Sequence, residues 1–262
     1  MINTISNSIQ KEIKLLHKRK NRDEKRLFFI EGIRFVKEAI QENINIKYII
    51  VSETLKNNDE INLLLKNTNV DIYLATDKII KELSDTDTPQ GIIAVIPYLK
   101  LDDNKLKNDK EKTFLILDTI QDPGNMGTMI RTADATGTDK IILSKGCVDI
   151  YNPKVLRATM GSIFRTNIML VDDLKSYINE LKTKDFLVLA AHLGGTKNYF
   201  DINLKGNVAV VIGNEANGIR QEVADVCSNL IKIPMLGKIE SLNAGVSASV
   251  ILYEVLRQKM YQ

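Results

Sequence analysis

The amino-acid sequence predicts an α/β protein with two domains, a smaller N-terminal one and a larger one built on a parallel sheet. Three observations lead to this fold class. Short apolar runs alternate with helical patterns on both sides of a break in the chain, as they do in α/β layers. The apolar runs after the break are continuous, which is typical of parallel strands buried on both faces. The break itself, residues 99–112, is polar and charged, so we expect a linker there.

The N-terminal domain is expected to cover residues 1–98. It opens with one amphipathic helix that carries Ile9, Ile13 and Leu16 on its apolar side and runs into the basic stretch HKRKNRDEKR. The apolar runs that follow predict strands at 28–32, 48–51, 70–74 and 91–96, and the helical patterns between them predict helices at 33–40 and 61–65.

The second domain is expected to cover residues 113–262. Its predicted strands are 114–117, 140–143, 186–190 and 208–212. Its predicted helices lie at roughly 127–136, 153–161, 173–182, 219–226 and 243–260. Because helices separate the strands along the chain, the strands are expected to form a parallel sheet.

Composition limits the class of protein. Of the 262 residues, 44% are hydrophobic and 26% are charged, as in globular proteins and unlike disordered or fibrous ones. No apolar run is long enough to span a membrane, and the first residues lack the apolar core of a signal peptide, so the expected compartment is the cytoplasm. Cys147 and Cys227, with His17 and His192, show no metal-ligand spacing, so no metal is expected.

Positive charge is concentrated near the N-terminus. Between Lys11 and Arg26 the chain has eight basic and three acidic residues, whereas its formal net charge is only +3. Such a run is either a phosphate-binding surface or an ordinary solvated face. If it binds phosphates, the candidate RNA-binding residues are Lys18, Arg19, Lys20 and Arg22.

Three loops that follow predicted strands carry candidate functional residues, although no Walker loop or G-x-G-x-x-G motif is present. The first loop reads LDTIQDPGNMGTMIR. Pro123 and Gly124 predict a turn, Asn125 is a good helix cap, and Arg131 follows six residues later. This loop either brings an amide and a guanidinium to the mouth of the sheet or is a plain connection with a surface arginine.

The second and third loops add further polar and small residues. In the second, IGNEANGI, Gly213 allows close approach of the backbone to a ligand and Glu215 offers a carboxylate. In the third, Ser241 and Asn243 stand at the start of the last helix, whose first turns are crowded with small residues at 244–249. Those small residues predict either close helix packing or a backbone that approaches a bound molecule or a second chain.

Together the three loops resemble, in order and spacing, the motifs of the SpoU (TrmH-like) family of RNA ribose 2′-O-methyltransferases in the SPOUT superfamily. The matching stretches are NMGTMIR, IGNEANG and IPMLGKIESLNAGVS, and the resemblance covers residues 113–260. The N-terminal part resembles the small α/β substrate-binding domain, of ribosomal-protein type, that these enzymes often carry. The resemblance implies a Rossmann-like parallel sheet with a deep trefoil knot, which is an exception to the rule that chains are unknotted.

The resemblance also implies an activity and a set of site residues. The implied reaction is S-adenosylmethionine-dependent, metal-free methylation of a ribose 2′-hydroxyl in structured RNA, with 23S ribosomal RNA as the expected substrate and a homodimer as the expected assembly. Gly213, Ile233 and Leu242 would bind the cofactor. The implied catalytic and ribose-positioning residues are Asn125, Arg131, Glu215, Ser241 and Asn243. A transfer RNA substrate, a catalytically inert RNA-binding module and a small-molecule enzyme on the same sheet are the alternatives.

The role of Arg131 stays open between two possibilities. Accounts of the family make this arginine the general base, yet a free guanidinium has a pKa above about 12 and does not readily accept a proton. Arg131 either loses its proton in a hydrophobic, cation-rich site or remains charged, holds a phosphate and stabilises the forming alkoxide. We favour the second role, in which Glu215 either receives the proton through water or orients Asn125 and Arg131.

Overall fold

The structure is a computed structural model that describes residues 2–66, 68–101 and 111–261. The described strands are β1 (Ile2–Thr4), β2 (Leu27–Glu31), β3 (Tyr48–Ser52), β4 (Asp71–Ala75), β5 (Ile92–Pro97), β6 (Thr113–Asp118), β7 (Lys140–Ser144), β8 (Ile168–Val171), β9 (Leu187–Ala191), β10 (Lys197–Asn198), β11 (Val208–Gly213) and β12 (Asn229–Lys232). The described α-helices are α1 (Asn7–Leu16), α2 (Arg19–Lys25), α3 (Ile33–Gln41), α4 (Asp59–Lys66), α5 (Asp77–Leu83), α6 (Pro123–Ala135), α7 (Pro153–Thr159), α8 (Leu174–Thr183), α9 (Gln221–Ala224) and α10 (Ala244–Met260).

The chain forms two compact units. The first consists of Met1–Leu99 together with Asp149–Phe164, and the second of Lys100–Val148 together with Arg165–Gln262. The expected linker, 99–112, lies mostly outside the described residues, which leave out 102–110. No helix in the described ranges is long and apolar enough to cross a membrane.

The first unit is built on a five-stranded mixed sheet in the order β1-β4-β3-β5-β2. Strands β1, β4 and β3 run parallel, whereas β5 is antiparallel to both β3 and β2. The apolar side of α1 packs on this sheet through Ile13 and Leu16, which are completely buried. The predicted strands of this unit and the predicted helices at 33–40 and 61–65 are confirmed, while the short strand β1 and helix α5 had not been predicted.

The basic N-terminal segment forms two helices, so the prediction of one continuous helix is wrong. The chain leaves helical geometry at Lys18, whose backbone is extended. The cause is side-chain capping of the end of α1. The guanidinium of Arg22 donates to the carbonyl oxygens of Leu16 and His17 at 2.7 and 3.0 Å, and Asn21 donates to that of Leu15 at 2.9 Å. These bonds satisfy carbonyl groups that a helix leaves free at its C-terminus.

The segment 149–164, which the sequence assigned to the second domain, packs in the first unit instead. The ring of Tyr151 stacks on Tyr98 with centroids 4.0 Å apart and lies 4.7 Å from that of Phe28. Asp149 forms an ion pair with Arg22 at 2.6 Å. These aromatic and ionic partners, all far away in sequence, explain why position along the chain did not predict where the segment packs.

The second unit is built on a seven-stranded sheet in which all paired strands are parallel, in the order β10-β12-β9-β11-β6-β7-β8. The predicted α/β fold with a parallel sheet is therefore confirmed. Strands β8, β10 and β12 had not been predicted. β10 and β12 are short and lack an apolar run, whereas β8 is the apolar run IMLV, which the prediction missed. The strand order places the carboxyl ends of β9, β11 and β6 side by side, and the loops that follow these strands leave from one edge of the sheet.

Candidate active site

The first candidate loop connects β6 to α6 and is held by local hydrogen bonds. Asp122 caps α6 by accepting a hydrogen bond from the backbone N–H of Asn125 at 2.7 Å, and Pro123 occupies the first turn. Asn125, predicted to be the cap, lies inside the helix and is buried, with 7% of its surface exposed. Its side-chain amide is thus free to point away from the helix towards the second loop.

Glu215 of the second loop joins this loop to the first. Its Oε1 accepts hydrogen bonds from Nδ2 of Asn125 at 2.9 Å and from the N–H of Asp122 at 3.2 Å, and its Oε2 accepts one from the N–H of Gln121 at 3.3 Å. Partial burial raises the pKa of Glu215, but the hydrogen bonds from Asn125 and from backbone N–H groups outweigh it and hold the pKa below its ordinary value of 4.5. Glu215 is therefore a hydrogen-bond acceptor for the first loop.

The second loop is a tight turn that begins at Gly213. Asn214 and Gly218 exchange two backbone hydrogen bonds of 2.9 Å, which close the turn. A Cβ atom at Gly213 would lie 2.3 Å from the carbonyl carbon of Gly218 and 2.3 Å from the nitrogen of Ile219. Position 213 is therefore restricted to glycine by the backbone of the turn itself, in addition to any ligand that approaches it.

Asn214 also ties this turn to the first loop. Its Nδ2 donates to the carbonyl oxygen of Thr119 at 2.8 Å, while its Oδ1 accepts from the N–H groups of Ala216 and Asn217. Asn214 is not among the residues predicted from the sequence. An asparagine inside a glycine-flanked turn is a signal for such side-chain to backbone bonds, although it does not identify the distant partner.

The third loop leads into α10, where the small residues serve helix packing. Asn243 caps α10 by accepting from the N–H groups of Gly245 and Val246. A Cβ atom at Gly245 would lie 3.2 Å from the methyl carbon of Thr128 on α6, and Ser249 is hydrogen-bonded to Thr132 of α6 at 2.8 Å. At these positions the packing interpretation of the small residues is the one that the structure supports.

The positions expected to contact the cofactor lie at the carboxyl ends of strands or just before α10. Gly213 ends β11, Ile233 follows β12, and Leu242 immediately precedes the cap of α10. In the part of the chain that the structure describes, the loop 233–242 forms no hydrogen bonds. Its backbone N–H and C=O groups are therefore available to a ligand, which fits a cofactor held mainly by main-chain contacts.

The structure brings only part of the predicted catalytic set into contact. Asn125 and Glu215 are hydrogen-bonded, whereas Arg131 is exposed on α6 and forms no ion pair with any described residue. Ser241 is exposed as well, and Asn243 uses its side chain as a helix cap. The arrangement therefore consists of a rigid amide–carboxylate pair and a cation that remains free to bind an anion.

A buried carboxylate that had not been predicted lies beneath these loops. Asp118, at the end of β6, is completely buried. It accepts hydrogen bonds from Nε and the backbone N–H of Arg220 at 2.9 and 3.0 Å and forms an ion pair with Nη2 at 2.8 Å. The side-chain hydrogen bonds that Arg220 donates to Asp118 outweigh its partial burial and raise the pKa of Arg220. An aspartate at the end of an apolar strand was the only sequence signal for this ion pair.

The candidate RNA-binding residues divide into two groups. Lys18, Arg19 and Lys20 are exposed, and Arg19 contacts Asp23 at 3.5 Å. Arg22 is only 3% exposed, and its guanidinium is occupied by Asp149 and by the carbonyl groups of α1. The prediction that Arg22 contacts RNA is therefore wrong, because the structure uses this side chain to hold the first unit together.

Across residues 2–66, 68–101 and 111–261, no group of three or more His, Cys, Asp or Glu side chains is arranged to hold a metal ion. The residues of the three loops can provide main-chain hydrogen bonds, a carboxylate, amides and a guanidinium. These groups suit the binding of a polar organic cofactor and of a phosphate-bearing substrate.

Comparison with known proteins identifies both parts of the chain. The SpoU rRNA Methylase family model matches residues 112–253, and the MRM3-like substrate binding domain model matches residues 7–94. The chain is 32% identical over 254 residues to the 23S rRNA (guanosine(2553)-2′-O)-methyltransferase RlmP of Bacillus subtilis, covering 97% of this chain and 98% of that protein. It is 38% identical over 239 residues to a protein of Staphylococcus aureus named as a TrmH family tRNA/rRNA methyltransferase, covering 88% and 96%.

A solved structure agrees over nearly the whole length. The AdoMet-bound rRNA methyltransferase from Sinorhizobium meliloti superimposes with a TM-score of 0.87 at 30% identity, covering 98% of this chain and 97% of that one. The three loops that the sequence singled out all fall within the matched family region. The chain therefore belongs to the SpoU rRNA methylase family, as the resemblance of those loops predicted.

Proposed function

We propose that this SpoU-family protein transfers a methyl group from S-adenosylmethionine to a ribose 2′-hydroxyl of RNA, and that its substrate is 23S ribosomal RNA. The observation that carries the proposal is the pairing of Asn125 with Glu215 at the foot of α6. The same helix carries the guanidinium of Arg131, which has no partner among the described residues. Similarity to RlmP over 97% of the chain supports the choice of ribosomal RNA.

The cofactor is assigned to the edge of the sheet that holds the carboxyl ends of β11 and β12, together with the loop before α10. Gly213, Ile233 and Leu242 would hold it through main-chain groups, since the backbone of 233–242 forms no bonds of its own within the described ranges. When bound, S-adenosylmethionine supplies a methyl group on a positively charged sulfonium, so no metal is needed to activate the leaving group. The AdoMet-bound structure of the Sinorhizobium meliloti relative supports this choice of cofactor.

The protein must align a weakly acidic hydroxyl and stabilise the negative charge that develops on it. Alignment alone contributes several kcal/mol, up to about 7 to 11 in favourable cases. Arg131 is exposed and has no internal partner among the described residues, so it can bind the phosphate beside the target ribose and stabilise the forming alkoxide. We assign it this electrostatic role. Arg131 keeps its own charge, and the proton of the hydroxyl passes to solvent water as the methyl group is transferred.

Glu215 is assigned an orienting role instead of that of a proton acceptor. Its two oxygens already accept three hydrogen bonds from the first loop, and those bonds favour its ionised form. A carboxylate held in this way is a weak base. It fixes the amide of Asn125 and the start of α6, and through that helix it limits where Arg131 can lie. Ser241 and Asn243 are assigned to the same site, at the start of α10.

RNA capture is assigned to the first unit. Lys18, Arg19 and Lys20 are exposed at the junction of α1 and α2, and neutralising phosphates with such side chains releases counterions. The match to a substrate binding domain at residues 7–94 supports this role. We take residues 1–98 of the unit to be the expected ribosomal-protein-type domain, followed by the linker 99–112 and the methyltransferase domain 113–262, whose segment 149–164 packs in the first unit. A ribosomal RNA substrate would place the enzyme in the cytoplasm.

A trefoil knot and a homodimer complete the proposal. The late strand β11 lies between β6 and β9 in the sheet, an arrangement that supports threading of the chain near the cofactor edge.

Val246 and Tyr253 of α10 are apolar and aromatic side chains with exposures of 45% and 52%, and they supply a face for a second copy. Tyr253→Glu should convert the dimer to a monomer in light scattering, whereas Leu63→Glu, at a comparably exposed site on α4, should not.

The function is tested by mapping 2′-O-methylated positions across total RNA from cells with and without the gene. A position in 23S ribosomal RNA that loses its methyl group, and regains it when purified protein and S-adenosylmethionine are added, would support the proposal. Loss of a methyl group at a transfer RNA position would show that the substrate is a transfer RNA, while the proposed reaction would stand. No change in any RNA, together with no methyl transfer by the purified protein, would rule out the proposed activity.

A further inference from the structure

The carboxylate of Asp118 has no contact with solvent and is saturated with hydrogen bonds. Its oxygens accept hydrogen bonds from Nε of Arg220 at 2.9 Å, the backbone N–H of Arg220 at 3.0 Å and Oγ of Ser144 at 3.2 Å, and Nη2 of Arg220 forms an ion pair with it at 2.8 Å. A buried carboxylate that is deprived of such partners is strongly destabilised, so this set of bonds constrains the position of each donor.

The bonds to Asp118 join three neighbouring strand ends. Asp118 ends β6 and begins the loop that leads to Arg131, Ser144 ends β7, and Arg220 follows the turn after β11. Ser144 strengthens the junction, because its Oγ also accepts from the N–H of Thr119 at 2.9 Å. The start of the first loop and the end of the second are therefore fixed to the same buried group.

The turn that carries Glu215 is thus held at both of its ends. On its N-terminal side, Asn214 donates to Thr119 and Glu215 accepts from Asn125. On its C-terminal side, Arg220 is bound to Asp118. Glu215 is exposed, so its own bonds compete with water and are each worth only about 1 kcal/mol. Asp118 is completely buried, so water does not compete for its carboxylate oxygens. Its bonds to Arg220 therefore hold the turn more firmly than the bonds of Glu215 do.

We propose that Asp118 and Arg220 are positioning residues for methyl transfer. They act through Glu215. The ion pair fixes the position of the 214–218 turn, so that Glu215 can hold Asn125 and the start of α6. The position of α6 in turn keeps Arg131 in place for the ribose. The inference rests on the methyltransferase function proposed above. It adds two residues that lie outside the predicted catalytic set and assigns their contribution to the rate of the chemical step.

Arg220→Gln is the main test, because Arg220 is 41% exposed and its replacement creates no large cavity. Single-turnover methyl transfer is measured with saturating cofactor and RNA, alongside the dissociation constants of both ligands and the unfolding temperature. We expect the rate of the chemical step to fall by about 10-fold to 100-fold, as for a small misplacement of reacting groups, while both dissociation constants stay within about threefold. Arg220→Lys, which keeps the charge but not the two-point contact, should recover part of the rate.

Glu222→Gln is the matched control, since Glu222 contacts the same guanidinium at 3.0 Å from the solvent side. It should leave the rate unchanged. If Arg220 acts through Glu215, the double variant Arg220→Gln/Glu215→Gln should be no slower than the slower single variant. Additive effects on the rate, a normal rate for Arg220→Gln, or a fall in cofactor affinity that accounts for the whole effect would each overturn the inference. An inactive wild-type protein would instead contradict the proposed function.

Discussion

Asn125 and Glu215 are separated by 90 positions in the sequence, yet Nδ2 of Asn125 donates a hydrogen bond of 2.9 Å to Oε1 of Glu215. The contact arises because β6 and β11 are neighbours in the parallel sheet, with Asp118 in register with Gly213 at their carboxyl ends. Two loops that leave adjacent strands at the same edge of a sheet lie close together. The hydrogen bond between these two side chains fixes the position of one loop relative to the other.

We predict that Glu215→Gln slows methyl transfer by about 10-fold or more while the affinity for S-adenosylmethionine changes little. Gln keeps one acceptor oxygen but puts an NH2 donor where the second carboxylate oxygen was, so it cannot satisfy all three donors of the first loop. Single-turnover rates and calorimetric cofactor titration of both proteins provide the measurement. An unchanged rate, or a loss of rate that weaker cofactor binding fully explains, would contradict the orienting role.

The same substitution should change the dependence of stability on acid. The folded-state pKa of Glu215 lies below its ordinary value of 4.5, so this group stabilises the fold above that pH and loses its contribution as the pH falls through the folded-state pKa. Urea unfolding at several pH values should therefore show the wild-type protein losing its advantage over Glu215→Gln as the pH drops below about 4.5. An advantage that is constant with pH would show that the carboxylate charge is not responsible.

The sequence predicts strand ends better than it predicts side-chain partners. The continuous apolar runs of β6 and β11 were sufficient to place Asn125 and Glu215 shortly after two buried strands, and the three motifs indicated the family. Nothing local in the sequence indicates that Arg220 reaches Asp118, because that bond depends on the order of strands in the sheet. Arg22 shows the same limit: a basic run predicts a charged surface, but burial against Asp149 is decided by a segment 127 positions away.

Gly213 provides a steric test of the second loop. We predict that Gly213→Ala lowers the free energy of unfolding by about 1 to 3 kcal/mol or more and weakens cofactor binding, because the new Cβ atom would lie 2.3 Å from backbone atoms of Gly218 and Ile219. A Cβ atom at Gly237 meets no atom within 4 Å, so Gly237→Ala should leave the free energy of unfolding unchanged. Chemical denaturation of both variants makes the comparison, and equal stabilities would contradict the steric explanation.

The basic segment should separate into residues that bind RNA and one that stabilises the fold. Replacing Lys18, Arg19 and Lys20 with Gln should weaken RNA binding and make it less dependent on salt. The slope of the logarithm of the binding constant against the logarithm of the salt concentration should become shallower by about 0.7 to 0.9 for each phosphate that the variant no longer neutralises. Filter binding at several salt concentrations measures the slope, and cofactor affinity should not change. An unaltered slope would assign these side chains to a solvated face.

Arg22→Gln should lower the stability of the fold instead of removing an RNA contact. It removes the cation from Asp149, whose side chain is only 10% exposed, and breaking such a pair costs about 3 to 5 kcal/mol of stability. Arg19→Gln, which removes only an exposed contact with Asp23, should cost less than about 1 kcal/mol. Equal effects of the two substitutions on unfolding would contradict the structural role of Arg22.

Arg131 has two possible roles that differ in their response to substitution and pH. Lysine keeps the positive charge but lacks the planar guanidinium that can hold a phosphate through two parallel hydrogen bonds. Lysine is also the better proton acceptor, because its pKa falls readily when it is desolvated. Arg131→Lys therefore separates an electrostatic role from that of a general base.

If Arg131 binds phosphate and stabilises the alkoxide, as we propose, Arg131→Lys should abolish most of the activity and raising the pH should restore little of it. Arg131 is exposed and unpaired among the described residues, so its replacement should leave both the fold and the affinity for S-adenosylmethionine unchanged. Single-turnover methyl transfer across pH, with RNA saturating, is the measurement. A lysine variant whose rate rises with pH through a single titration would establish the general base instead. Arg131→Ala should be inactive under either mechanism, and a near-normal rate for it would remove Arg131 from the reaction altogether.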